Sequence, residues 1–192
     1  MLRFTEQEYL AFSKRRKKGW AKPKPKKDPF LSLAPVKEVS PHAKALAALA
    51  KNPDLRVGNC EHYEQVLIFD YFERYYPEIY ELLHATPNGG KRSKATAGKL
   101  KAEGLKKGYP DMSLDKACGI YHGMRIELKE PNGKAPTKEQ IAWMRRLREE
   151  GYYVVLAYGA EQAITAILEY ISLKKGEAIE YVLNGDKWLY AA

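Results

Sequence analysis

One aspartate and a Glu-x-Lys triplet define the chemistry open to this chain. Asp111 closes the segment Gly108-Tyr109-Pro110-Asp111, and Glu127-Leu128-Lys129 begins sixteen residues after it. An Asp followed by Glu-x-Lys on a strand is what is needed to hold a divalent cation and cleave a phosphodiester: hard cations take oxygen ligands, and the lysine brings a positive charge to the attacking water or the phosphate. From Met124 to Lys129 the residues alternate, with Met124, Ile126 and Leu128 on one face and Arg125, Glu127 and Lys129 on the other, which is the period of a strand. That period aims Glu127 and Lys129 the same way, roughly 7 Å apart at about 3.3 Å per residue. Pro110 cannot donate to a sheet ladder, so Asp111 falls at or near a strand start. Taken singly, a Pro-Asp turn and an alternating charged strand face are ordinary surface features.

The elements that must position these residues follow from periodicity and breakers. Residues 61–76 read as a helix stopped by Pro77, with Glu61, Gln65, Ile68 and Phe72 on one stripe. Strands are expected over 80–85, 111–114 and 123–129, and a buried one over 152–157. Helices are expected over 93–103, ended at Gly104, over 137–150, ended at Gly151, and over 161–173. A short helix near 41–51 opens at Ser40-Pro41 and ends at Asn52-Pro53. A terminal hairpin is expected from 178–183 and 187–190 around Asn184-Gly185. Helices flanking a mixed sheet give the α/β class. Thr137-x-x-Gln140 fits a capping box, and Gln140 lies in line with Trp143, Met144 and Leu147, which should face the core.

Five motifs recur in a fixed order: Glu61-His62-Tyr63-Glu64-Gln65, Pro87-Asn88-Gly89-Gly90-Lys91-Arg92, the segment from Leu100 to Asp111, Glu127-Leu128-Lys129, and Gln140-Ile141-Ala142-Trp143 with Leu147-x-x-x-Gly151-Tyr152. In that order and spacing, from about Cys60 to about Leu173, the chain resembles the virus-type replication-repair nuclease (VRR-NUC) domain, a branch of the PD-(D/E)XK nuclease superfamily. The resemblance implies a restriction-endonuclease-like core, a mixed central sheet flanked by helices, over residues 56–175. It implies Asp111 and Glu127 as ligands of Mg²⁺ or Mn²⁺, the Leu128 carbonyl as a backbone ligand, Lys129 as the catalytic lysine and Gln140 in support. It also implies a carboxylate from the first helix: Glu61, which stands four residues before Gln65, with Glu64 as the alternative. Tyr109 and Met112 depart from the family pattern, standing where a small apolar residue and a Leu are usual; neither is a ligand position. Branched, flapped or four-way-junction DNA is the implied substrate, a homodimer the implied assembly, and the cytoplasm of a bacterium, or of a phage's host, the implied location. The competing readings are a non-catalytic DNA-binding module on the same fold, which the intact ligand set argues against, and a sequence-specific restriction-type nuclease, for which no zinc finger or helix-turn-helix pattern is present.

Charge is unevenly placed along the 192 residues. Residues 1–27 carry ten Lys or Arg against Glu6 and Glu8, or +8 of the chain's net +9. With Pro23 and Pro25 interleaved among the lysines, this stretch cannot form a core and is expected to be extended and flexible. It reads as a basic arm on nucleic acid or as a solubilising tail, the first part of an N-terminal extension over residues 1–55. A second basic segment, Lys91, Arg92, Lys94, Lys99, Lys101, Lys106 and Lys107 against Glu103, precedes Asp111 and reads as phosphate-positioning or as a solvated helix. His62 and His122 are expected to flank the site in structural roles. Cys60 and Cys118, the two cysteines, have no zinc-ligand spacing and read as free thiols in a reducing compartment. No apolar run is long enough for a membrane span, and residues 1–20 lack the apolar core of a signal peptide. Residues 176–192 are expected to form a hairpin or tail.

Overall fold

The computed structural model describes residues 39–86 and 94–179. The basic arm, Lys91, Arg92, the Asn88-Gly89-Gly90 segment and nearly all of the expected terminal hairpin lie outside them, as does the side chain of Lys94. Helix α1 (Pro41–Lys51) is capped by Ser40, whose side chain accepts from the Ala43 amide at 3.2 Å. A 3₁₀ turn (Pro53–Arg56) leads into α2 (Cys60–Tyr75). After α2 the chain forms the single turn α3 (Pro77–Tyr80) and the short strand β1 (Leu83–Ala85). The strand expected over 80–85 is therefore halved. Pro77 ends α2, but its fixed φ also suits the first position of a new helical turn, and that turn takes Tyr80. The basic helix α4 (Lys94–Ala102), the strands β2 (Met112–Leu114) and β3 (Met124–Lys129), helix α5 (Lys138–Glu149), strand β4 (Tyr153–Tyr158) and helix α6 (Gly159–Ser172) complete the described chain.

The strands form one mixed sheet in the order β1-β2-β3-β4, antiparallel except for the parallel pair β3–β4. Two antiparallel neighbours can be joined by short connections, but a parallel pair needs a crossover, and α5 supplies it. Both faces of the centre are covered. Ile68, Phe72, Met112, Leu114, Met124, Ile126, Leu128, Ala163, Ile167 and Tyr170 are fully buried in the layer against α2 and α6. Met144, Leu147, Val154 and Leu156 form a smaller core under α5. β4, Tyr-Val-Val-Leu-Ala-Tyr, is apolar at every position because a parallel strand is buried on both sides. The second face of β3 departs from what alternating charges suggest: Arg125 and Glu127 are buried with the apolar residues. Arg125 is satisfied there by Asp115 (3.1 Å), the Met124 carbonyl (2.9 Å) and the Tyr109 hydroxyl (3.3 Å), with its guanidinium 4.2 Å from the Tyr152 ring centroid. Tyr109 thus has a structural task that the small residue expected there could not perform. Cys118 is buried, and both cysteines are free thiols. Among the described residues no helix is long and apolar enough to cross a membrane.

The loop from Lys106 to Pro110 is clamped beneath the start of α5. The Trp143 indole donates to the Lys107 carbonyl (3.1 Å), Lys107 pairs with Glu139 (2.6 Å), and Tyr109 packs edge-on against Trp143. Trp143 is accordingly half-buried and serves as a brace for this loop, while Met144 and Leu147 go into the core as expected. Gly108 makes the approach possible: it has φ +81°, and a Cβ there would stand 2.8 Å from the Glu139 carbonyl carbon. Both the left-handed conformation and the contact penalise any side chain. Gly108→Ala should cost about 2 kcal/mol or more and lower Tm by roughly 4–8 °C. An unchanged Tm in thermal denaturation would contradict this account of the loop.

Candidate metal centre

The register of β2 on β3 brings two of the expected residues together. Met112 pairs with Ile126, so one step further toward the loop Asp111 stands beside Glu127. Asp111 Oδ2 accepts the Leu128 amide at 3.0 Å, which fixes its carboxylate at the C-terminal end of β3. Glu127 is fully buried. Its Oε1 accepts from Lys129 Nζ at 2.5 Å and from the Gln140 side-chain amide. Its Oε2 is buried without a hydrogen-bond partner. Gln140 does both things the sequence allowed: its Oε1 accepts the Thr137 amide at 2.8 Å in a closed capping box, while its Nε2 donates to Glu127. One side chain starts α5 and anchors the buried carboxylate.

The two glutamates of α2 part company. Glu64 is buried, paired with Arg56, and accepts the Ala160 amide at 2.7 Å at the start of α6. A carboxylate at a helix N-terminus meets unpaired amides and the positive end of the dipole. Gly159, with φ +84°, lets that helix start come close: a Cβ there would lie 3.4 Å from Glu64 Oε2. Glu64 is thereby committed to holding α2 against α6. Glu61 is exposed at the rim of the centre, within electrostatic reach of Asp111 and Lys129. Of the two, Glu61 is the one beside Asp111 and Lys129.

The electrostatics follow from burial without enough positive charge. Burial, then the neighbouring Asp111 carboxylate, pushes the Glu127 pKa up to about 8 against the pull of Lys129. Burial also raises Asp111, despite its bond to the Leu128 amide, its proximity to Lys129 and a hydrogen bond that a protonated Glu127 carboxyl donates to it. Glu61 is raised by partial burial, then by the Asp111 carboxylate, against the pull of Lys129. Burial works against the charge on Lys129, but its bond to Glu127 and the surrounding carboxylates outweigh it and raise its pKa. Among the described residues no three acidic, His or Cys side chains already stand at metal-binding separation. The fit to a cation rests instead on the orphaned Glu127 oxygen beside Asp111: a buried unpaired carboxylate oxygen costs free energy that an ion would recover. An all-oxygen donor set suits Mg²⁺ or Mn²⁺, and magnesium keeps several waters.

The other expected residues are placed as follows. Lys99, Lys101, Lys106 and Lys107 are exposed, Lys99 within 3.9 Å of Glu103 and Lys107 paired with Glu139. His62 sits next to Glu61 on α2. His122 does not flank the centre: it precedes β3, bonds the Gly151 carbonyl through its amide at 3.0 Å, and lies at the opposite end of the strand from Lys129. Arg56 was not singled out from the sequence. An arginine in a short turn before a helix carries no signal of what it will pair with.

A mixed sheet with helices on both faces, and an Asp beside a buried Glu-x-Lys where β2 and β3 meet, defines a restriction-endonuclease-like nuclease core. A solved structure described as a VRR_NUC domain protein superposes with a TM-score of 0.54 at 32% sequence identity, over 60% of this chain and 91% of that one. The chain belongs to the VRR-NUC domain family. No family model matches the sequence, and no curated protein does.

Without metal, folded Glu127 keeps its proton up to about pH 8, whereas the unfolded side chain loses it near 4.5. Its contribution to stability is therefore complete below about pH 4.5 and lost as pH rises to about 8. The raised pKa values of Asp111 and Glu61 act with the same sign. In EDTA, denaturation between pH 5 and pH 8.5 should show wild type weakening more steeply than Glu127→Gln, with the variant the more stable at the alkaline end. Mn²⁺ should restore wild type there and not the variant. A variant that weakens as steeply as wild type would count against the buried-carboxylate account.

Proposed function

We propose that the protein is a divalent-metal-dependent endonuclease that hydrolyses phosphodiester bonds in branched DNA, working as a homodimer. The observation that carries this reading is the buried Glu127 carboxylate, with one oxygen held by Lys129 and Gln140 and the other without a partner, next to Asp111. Asp111, Glu127, the Leu128 carbonyl and Glu61 would hold Mg²⁺ or Mn²⁺. When bound, the ion supplies Lewis acidity at the scissile phosphate and neutralises charge developing there. Lys129, tied to Glu127, offers a fixed ammonium that orients an attacking water or contacts the phosphate. Gln140 sets the Glu127 carboxylate plane, so that its free oxygen and the Lys129 side chain keep their relative positions. Lys99, Lys101, Lys106 and Lys107, with Lys91, Arg92 and Lys94, would hold the DNA backbone without reading its sequence. The arm over residues 1–27 would add sequence-independent, salt-sensitive affinity.

The test is a cleavage panel of duplex, flap, splayed-arm and four-way-junction DNA with Mg²⁺ and Mn²⁺. Branched substrates should be cut and EDTA should stop the reaction. Asp111→Asn and Glu127→Ala should each slow cleavage by on the order of a hundredfold or more, with DNA affinity little changed. Glu61→Gln should slow cleavage at unchanged Tm. Glu64→Gln should lower Tm while the folded fraction keeps its activity. Full activity in EDTA, or in either of the first two variants, contradicts the assignment.

A further inference from the structure

A cavity of about 660 Å³ lies between α1, α2 and β1, in the size range of small-ligand sites, roughly 300–1,000 Å³. One wall is aromatic. His42 lies over Phe69, with ring centroids 5.5 Å apart and planes 20° from parallel, and Tyr80 meets both edge-on. The Tyr80 hydroxyl and His42 Nε2 are 3.0 Å apart, which fixes the imidazole on the phenyl face. Gln65 and Glu81 are also in the lining. None of these groups takes part in the metal centre described above.

The cavity and the centre share α2 and adjoin across the β1–β2 pair. Gln65 stands one turn after Glu61 on α2, about 6 Å along the axis. Ala85, also in the lining, pairs with Met112, and the next amide, of Thr86, donates to the Asp111 carbonyl at 2.7 Å. The cavity therefore adjoins the centre through α2 and through the end of β1 that pairs with β2.

We propose that the cavity receives one unpaired nucleobase of the DNA substrate, next to the scissile phosphate. The proposal rests on the nuclease reading above and names the feature of branched DNA that the site selects. A base freed from its stack needs a flat partner for its face and donors or acceptors for its edge. Aromatic rings supply the first. Gln65, which both donates and accepts, and Glu81, which accepts from an exocyclic amine, supply the second. In intact duplex every base is paired and stacked, so filling the cavity would first cost unpairing; at a branch point the base is already available.

The test uses the full chain and a flap substrate in which a single abasic site is walked one position at a time across the branch point. Affinity is measured in EDTA, so that binding is read whether or not cleavage occurs. At one position, removal of the base should weaken wild-type binding about tenfold. Ala45→Trp, which fills the cavity from α1, and His42→Ala, which removes part of its wall, should abolish that difference while binding the abasic DNA as wild type does; melting curves show whether each variant is folded. No sensitive position, or a sensitive position that persists in both variants, overturns the proposal. A sensitive position lost in the variants, in a protein that never cleaves, would retain the base site and reject the nuclease reading.

Discussion

The carboxylate of Glu127 lies in a strand covered on both faces, and that burial governs the arrangement around it. An ionised carboxylate without adequate compensation is expensive in such a place. Lys129 and Gln140 meet one of its oxygens, and Asp111, far from compensating the charge, adds a second acid. The cost can be lowered by keeping a proton or by binding a cation. A proton and the proposed cation would therefore compete for the same group.

Several features away from the centre serve this arrangement. Gly108 and Trp143 hold the loop before Asp111 under α5, and Gln140 begins that helix with the side chain that also grips Glu127. The β2–β3 register then needs no further adjustment to set Asp111 beside Glu127. On the other side, Glu64 binds Arg56 and the start of α6, so α2 cannot easily rotate or slide. With α2 fixed in this way, Glu61 is left at the rim. Residues three apart on a helix lie on neighbouring but distinct lines, and here one line faces a helix terminus and the other the acidic centre.

Much of this was legible in the chain because the signals are local. The alternation in β3, the apolar run of β4, the Thr137–Gln140 cap and the helix of 41–51 all depend on near neighbours, and each element occurs where it is expected. Tertiary neighbours decided the rest. Arg125 and Glu127 read as a solvated face until α5 covers them. Spacing to Gln65 favours Glu61 over Glu64, but that Glu64 is taken up by Arg56 and Ala160, which no periodicity connects to α2, is visible only in the fold. Tyr80 reads as a strand residue by propensity, but Pro77 draws it into a helical turn. His122 is expected to flank the centre, yet it precedes β3 at the end away from Glu127 and Lys129.

The central claim is that the Glu127 carboxylate exchanges a proton for a metal ion. Calorimetric titration of Mn²⁺ at pH 7, in two buffers of different ionisation enthalpy, counts the protons released on binding. The account predicts release in wild type, and weaker binding without that release in Glu127→Gln. Binding with no proton release in wild type, or undiminished binding by the variant, would contradict it.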